Sequence, residues 1–142
     1  MVPMSNHRLI ALPNIVDGEG FCSCGCGMDC TQELLITLQA FVFAIERERG
    51  KKVRVLWHGA RCKSKNNATP GAAMFSEHMT GNAADCVFEE MDGSRWRKID
   101  SQAIAAIAIT SGLWGGIGWR KYHPTPGHIH LDIRPGKKAV IW

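Results

Sequence analysis

Between His128 and Ile133 polar and apolar residues alternate without a break: His128, His130 and Asp132 against Ile129, Leu131 and Ile133. Side chains two apart on a strand share a face. The segment is therefore expected to be a half-buried strand, with its aliphatic row in a core and its polar row on the other side. The chain must build a sheet that tolerates three potential metal ligands in one row. Neutral imidazole suits zinc, and a His-x-His pair on a rigid strand is a common metal platform. Solvated or hydrogen-bonded histidines show the same spacing, so the pair alone leaves both readings open.

The remaining patterns give this strand neighbours. Leu34, Leu35, Leu38, Phe41, Val42 and Ile45 recur at helical spacing, which predicts an amphipathic helix over 30–49. Asp29 is the expected N-cap, with Gln32 completing a capping box, and Gly50 the expected stop. Val53, Val55 and Trp57 predict a strand over 52–57, and a second strand is expected over 83–88. A second helix is expected over 100–111, capped by Asp100 or Ser101 and ended by Gly112. A long polar loop, 58–77, and a short glycine-broken stretch from Trp114 to Trp119 lie between. The prediction is one α+β domain over residues 1–142, a small antiparallel sheet carrying a metal site and packed with two main helices. Residues 1–20 read as irregular, and no repeat or linker divides the chain.

The formal net charge is +4, a mild excess compatible with an anionic partner such as a cell wall. No apolar run is long enough for a membrane span. The first residues lack the apolar core and cleavage site of a signal peptide, so cytoplasmic synthesis is expected. In that compartment the six cysteines read as thiols or metal ligands rather than disulfides. Cys22, Cys24, Cys26 and Cys30 are spaced C-x-C-x-C-x3-C, denser than paired C-x2-C knuckles. One reading of them is a structural metal site. Two of them binding together with Cys62, disulfides, or small buried fillers are the alternatives. A nucleic-acid reading would rest on charge and cysteines alone, and no nucleic-acid partner is expected.

Seven residues separate His78 from Asp85, with Gly81 permitting a tight turn between them. Asp85 sits among Ala83, Ala84, Cys86, Val87 and Phe88, where a carboxylate must be paired, hydrogen-bonded or coordinating. His78, Asp85 and one of the later histidines make two imidazoles and one carboxylate. Three protein ligands with an open fourth position are the pattern of a catalytic zinc. Such an ion lowers the pKa of a water to about 7 and polarises a carbonyl.

Several blocks then resemble a known family. They are Phe21-Cys22-x-Cys24, Arg61-Cys62, Asn66, Gly71-Ala72, Ser76-Glu77-His78 through Asp85, Gly115-Gly116-Ile117-Gly118 and His128-Ile129-His130-Leu131-Asp132. Together they resemble the M15 zinc peptidases, the D-Ala-D-Ala carboxypeptidase and L-alanyl-D-glutamate endopeptidase group that includes phage endolysins. That family's fold is shared with lysostaphin-type peptidases and the hedgehog signalling domain. The resemblance implies zinc ligands at His78, Asp85 and His130, and a non-ligand histidine beside the metal at His128. It implies an arginine for the oxyanion or a substrate carboxylate at Arg61 and a substrate contact at Ser76. A loop-capping hydroxyl is the other reading of Ser76. Asp132 is expected to hydrogen-bond a neighbouring imidazole. The implied activity is cleavage of peptidoglycan stem peptides, by a monomer that reaches the wall by a phage-type route. The alternative is a non-catalytic, metal-containing wall- or protein-binding domain of the same fold. Three residues before the last ligand, where many members carry an acidic general base, this chain has Gly127. His128 is the nearest substitute, because an imidazole titrates near neutrality.

Overall fold

The structure, a computed structural model, describes residues 12–15, 19–73, 76–120 and 128–142. Gly127, the Pro124/Pro126 turn and much of the irregular 1–20 segment lie outside these residues. Helix α1 (Gln32–Arg49) buries Leu34, Leu35, Leu38, Phe41, Val42 and Ile45 completely. It ends at Gly50 in the left-handed conformation, whose N–H donates to the Glu46 carbonyl. The N-cap is Thr31 and not Asp29. The Thr31 hydroxyl accepts from the Leu34 N–H at 3.2 Å and donates to Asn82 Oδ1 at 2.8 Å. Asp29 instead accepts from the adjacent Cys30 N–H at 2.7 Å. A hydroxyl can accept and donate at once, so Thr31 ties the start of the helix to the loop before β2.

The sheet is built around one long strand. β1 (Val53–His58) runs antiparallel along one edge of β2 (Ala83–Asp92), with Trp57 opposite Cys86 and His58 opposite Asp85. The other edge is shared. β3 (Arg95–Lys98) pairs with the end of β2, and β5 (His128–Asp132) pairs with its start, Asp85 facing His130. β4 (Gly116–Gly118) lies antiparallel on β5, and β6 (Val140–Ile141) lies parallel on β4. The sheet is therefore mixed, which corrects the expectation of an antiparallel one. After β5 the chain reverses and lands on the far side of β4. Running opposite to β5, it must run with β4. β3 and β6 are not predicted by periodicity, although Asp92-Gly93 is a hairpin signal for β3.

Alternation then sorts the faces. Val53, Val55, Trp57, Ala84, Cys86, Phe88, Ile117, Ile129 and Leu131 form one buried layer with α1 and with α3 (Ser101–Ser111). Phe41 sits at the junction, edge-on to Phe88 with ring centroids 5.4 Å apart and to Trp114 at 5.6 Å. Asp100 caps α3 by accepting from Gln102 and Ala103, and Gly112 ends it, as expected. The predicted polar loop holds two short elements, α2 (Lys63–Asn67) and a 3-10 turn (Glu77–Thr80). The chain is α+β. Among the described residues no helix is long and apolar enough to cross a membrane.

Candidate metal centre

The sheet face turned away from the helices carries the polar row of β5 and, on β2 beside it, Asp85. Antiparallel pairing of Asp85 with His130 brings a carboxylate and an imidazole together from strands distant in sequence. The 3-10 turn delivers His78 from the stretch just before the start of β2. Ser76 starts that turn by accepting from the His78 N–H at 3.2 Å, and Gly81 closes it in the left-handed conformation. His78 Nε2 then lies 3.1 Å from Asp85 Oδ2, and His130 Nδ1 lies 3.0 Å from Asp85 Oδ1. His78 and His130 are buried, whereas Asp85 is half-buried and opens outward.

The far side of each ring has a fixed acceptor. His78 Nδ1 is 2.7 Å from the Gly59 carbonyl oxygen, which can only accept, so Nδ1 carries the proton. His130 Nε2 is 2.8 Å from Asp132 Oδ2 and donates to it. Asp132 is fully buried, and Arg134 grips it through Nε at 2.8 Å and Nη2 at 2.6 Å. Both imidazoles thus turn their remaining nitrogen onto one carboxylate. Burial raises the Asp85 carboxyl, but its interactions with His130 and His78 outweigh it and hold the group well below the usual carboxylate range. Burial likewise raises Asp132, and His130 and Arg134 pull it far down. Burial disfavours charged His130, yet bonds to Asp132 and Asp85 leave its pKa raised. Two nitrogens and an ionised carboxylate oxygen meeting at one point suit a divalent cation with N and O ligands.

Next to this cluster is a cavity of about 560 Å³. Arg61, Ser76, Glu77, Arg134 and Trp142 line it along with the three candidate ligands. Arg61 Nη2 is 3.7 Å from Asp85 Oδ2, and Nη1 donates to Asn66 Oδ1 at 3.0 Å. Asn66 is itself buried and donates to the Ala73 carbonyl, which fixes both the guanidinium and the loop beyond it. Ser76 caps the turn, one of the two roles read for it, and its side of the turn lines the cavity. His128 shares the strand face of His130 and is half-buried, but it is not among the described residues lining this cavity. Trp114 is core, and Trp119 packs partly buried against the core. The tryptophan of the cavity is Trp142, with its ring 5.2 Å from His130 and the Arg134 guanidinium 5.0 Å above it.

Arg134, Asn66 and Trp142 are the residues that spacing did not assign a role. For Arg134 a signal existed, because it continues the polar row two positions after Asp132. Trp142 offered none. Two glycines make room here. A Cβ at Gly116 would lie 2.4 Å from the Asp132 carboxylate, and one at Gly118 would lie 2.6 Å from the Trp142 indole.

A second group of metal-binding side chains gathers among the described residues: Cys22, Cys24, Cys26 and Cys62. Cys30 is not part of it, which corrects the set of four expected from spacing. Its thiol is buried in the core and points at the Gly20 carbonyl, 3.4 Å away. Cys30 belongs to the core cluster, one residue before the cap of α1, and so stands apart from the thiols of the other four.

Comparison with models of protein families, with curated proteins and with solved structures gave no match to this chain.

Proposed function

We propose that this protein is a zinc-dependent peptidase, with His78, Asp85 and His130 as the metal ligands and peptidoglycan stem peptides as substrates. One observation carries the metal assignment. Each of two buried imidazoles commits its far nitrogen to a fixed acceptor, Gly59 O or Asp132, and points the other at a single ionised carboxylate. The donor set fits zinc, which would supply Lewis acidity and an acidified water beside the cavity. Arg61 and Arg134 put two guanidinium groups on the cavity wall. Guanidinium geometry matches a substrate carboxylate or a developing oxyanion. Asn66 holds Arg61 in place for that role, and Asp132 holds the His130 ring. The peptidase activity and the wall substrate rest on the family resemblance of the Ser76–Asp85 and His128–Asp132 blocks, including the hedgehog/DD-peptidase-like fold it implies.

The test is cleavage of isolated stem peptides by the full chain, followed by chromatography. Cleavage is expected, lost on chelation, restored by zinc, and abolished by His130→Ala. Full activity of His130→Ala, or no cleavage by zinc-loaded protein, would sink the reading. The second reading, a non-catalytic metal-containing wall-binding domain, is favoured by Gly127 in the sequence and by the position of His128 off the described cavity wall. It predicts pull-down with wall fragments and no turnover.

A further inference from the structure

The four thiols set apart above lie on two segments far apart in sequence. Cys22, Cys24 and Cys26 sit in one loop, and Cys62 immediately follows Arg61. Gly25 and Gly27 both adopt the left-handed conformation, with φ of 82° and 88°. These two bends let cysteines at alternate positions converge instead of pointing to opposite sides. The Sγ atoms of all four lie within 4.8 Å of one another. Cys22 Sγ is 3.4 Å from Cys24 Sγ, and Cys24 Sγ is 3.6 Å from Cys62 Sγ. A disulfide requires about 2.05 Å. A tetrahedron of sulfurs around zinc at about 2.3 Å has edges of about 3.8 Å, close to the spacing seen. Backbone N–H groups already serve two of the sulfurs: Cys62 N lies 3.4 Å from Cys22 Sγ, and Lys65 N lies 3.4 Å from Cys62 Sγ. Such bonds stabilise thiolates.

We infer that Cys22, Cys24, Cys26 and Cys62 form a second, structural site for a thiophilic divalent cation of the zinc class, closed by four sulfurs. The site is independent of the peptidase reading, because its ligands and geometry share nothing with His78, Asp85 and His130. It has a consequence for that cavity all the same. The ion would fasten the 22–26 loop to Cys62, and so to the adjacent Arg61. Phe21 and Ser23 of that loop share with Arg61 and Asp85 a smaller depression of about 250 Å³. The ion thus clamps the backbone on one side of the candidate centre.

The test uses the full chain, purified under reducing conditions, stripped of metal and titrated with Co²⁺ and then Zn²⁺. Co²⁺ in a tetrathiolate site gives a sulfur-to-metal charge-transfer band, which a His/Asp site without sulfur cannot imitate, alongside tetrahedral d–d absorption. The charge-transfer band is expected in the wild type and in His130→Ala, to bleach on adding Zn²⁺, and to fall by more than half in Cys62→Ser. Cys30→Ser is expected to keep it in full. Cys24→Ser, at an exposed position, repeats the loss should Cys62→Ser fail to fold. A band that survives both Cys62→Ser and Cys24→Ser, or one lost in a folded Cys30→Ser, overturns the assignment. So does a disulfide within the four found by mass spectrometry of the reduced-purified chain. Loss of peptide cleavage with the band intact would count against the peptidase reading alone.

Discussion

At the residue scale the chemistry converges on Asp132. Its carboxylate is fully buried, accepts from His130 and is held by two nitrogens of Arg134. An amide at this position keeps the shape but offers one acceptor oxygen in place of two and carries no charge. Asp132→Asn is therefore expected to loosen the His130 ring and, at the proposed His78/Asp85/His130 site, to weaken zinc binding by about 10- to 100-fold. Competition with a chromophoric chelator, in a Cys62→Ser background, measures it; unchanged affinity would show that Asp132 does not orient the ring. Gly116 explains how so large a buried network fits. A methyl group there would clash with the Asp132 carboxylate at 2.4 Å. Gly116→Ala is expected to destabilise the fold by about 1–3 kcal/mol, the usual cost of overpacking, read from the urea midpoint. The role of Asp132 was legible in the strand alternation. The partnership with Arg134 and the choice of Cys62 over Cys30 were not, because each depends on which way a segment turns after it leaves its element.

At the element scale, two contacts lock α1 to β2 and to the loop just before it. The first is Thr31, which caps the helix and donates to Asn82. Thr31→Ala removes both bonds and is expected to cost about 1–2 kcal/mol by denaturant unfolding. The second is at the other end, where Arg49 binds the Glu90 carboxylate of β2 through Nε at 2.5 Å and Nη2 at 2.9 Å. The Arg49 hydrogen bond holds the Glu90 carboxyl below its ordinary value despite some burial. With the folded pKa depressed, the unfolded chain binds more protons, so stability rises with pH through this range. The contribution is present above the unfolded value of about 4.3 and is lost as pH falls through the folded one. Arg49→Ala is expected to move acid unfolding to higher pH while lowering neutral stability by about 1 kcal/mol. Circular dichroism across an acid titration checks it; an unmoved midpoint would mean the pair contributes nothing. The two main helices and three of the strands were readable from period and caps. β6 was not, since two residues carry no period. The Asp29 cap failed because a nearby hydroxyl had a better set of partners.

At the scale of the whole molecule, one face of the sheet is a core and the other is a site. The core is continuous from α1 through the sheet to α3, and Phe41 joins them, fully buried between Phe88 and Trp114. Phe41→Ala is expected to cost about 3–5 kcal/mol in a single cooperative transition. Guanidinium or urea melts followed by both tryptophan fluorescence and circular dichroism would reveal it; separate transitions would mean that the helices and sheet are not one unit. The same layering accounts for the cavity. Because the helices take the aliphatic side, the polar row of β5 is left facing the loops that bring in His78 and Arg61 and the segment that carries Trp142.

The sequence by itself determined which side chains stand in one row and which lie beneath them, because strand and helix periods are local and set by backbone geometry. It therefore placed His128, His130 and Asp132 on one face, and the apolar stripe of α1 against a core. It also put Asp85 where a buried carboxylate needs partners. Only the tertiary structure decided which of those residues meet. Strand order set Asp85 against His130, chain reversal after β5 made the sheet mixed and brought Trp142 over the cavity, and two left-handed glycines carried three cysteines to Cys62. The reason is that contacts between distant segments depend on pairing and turn direction, and no local period encodes either.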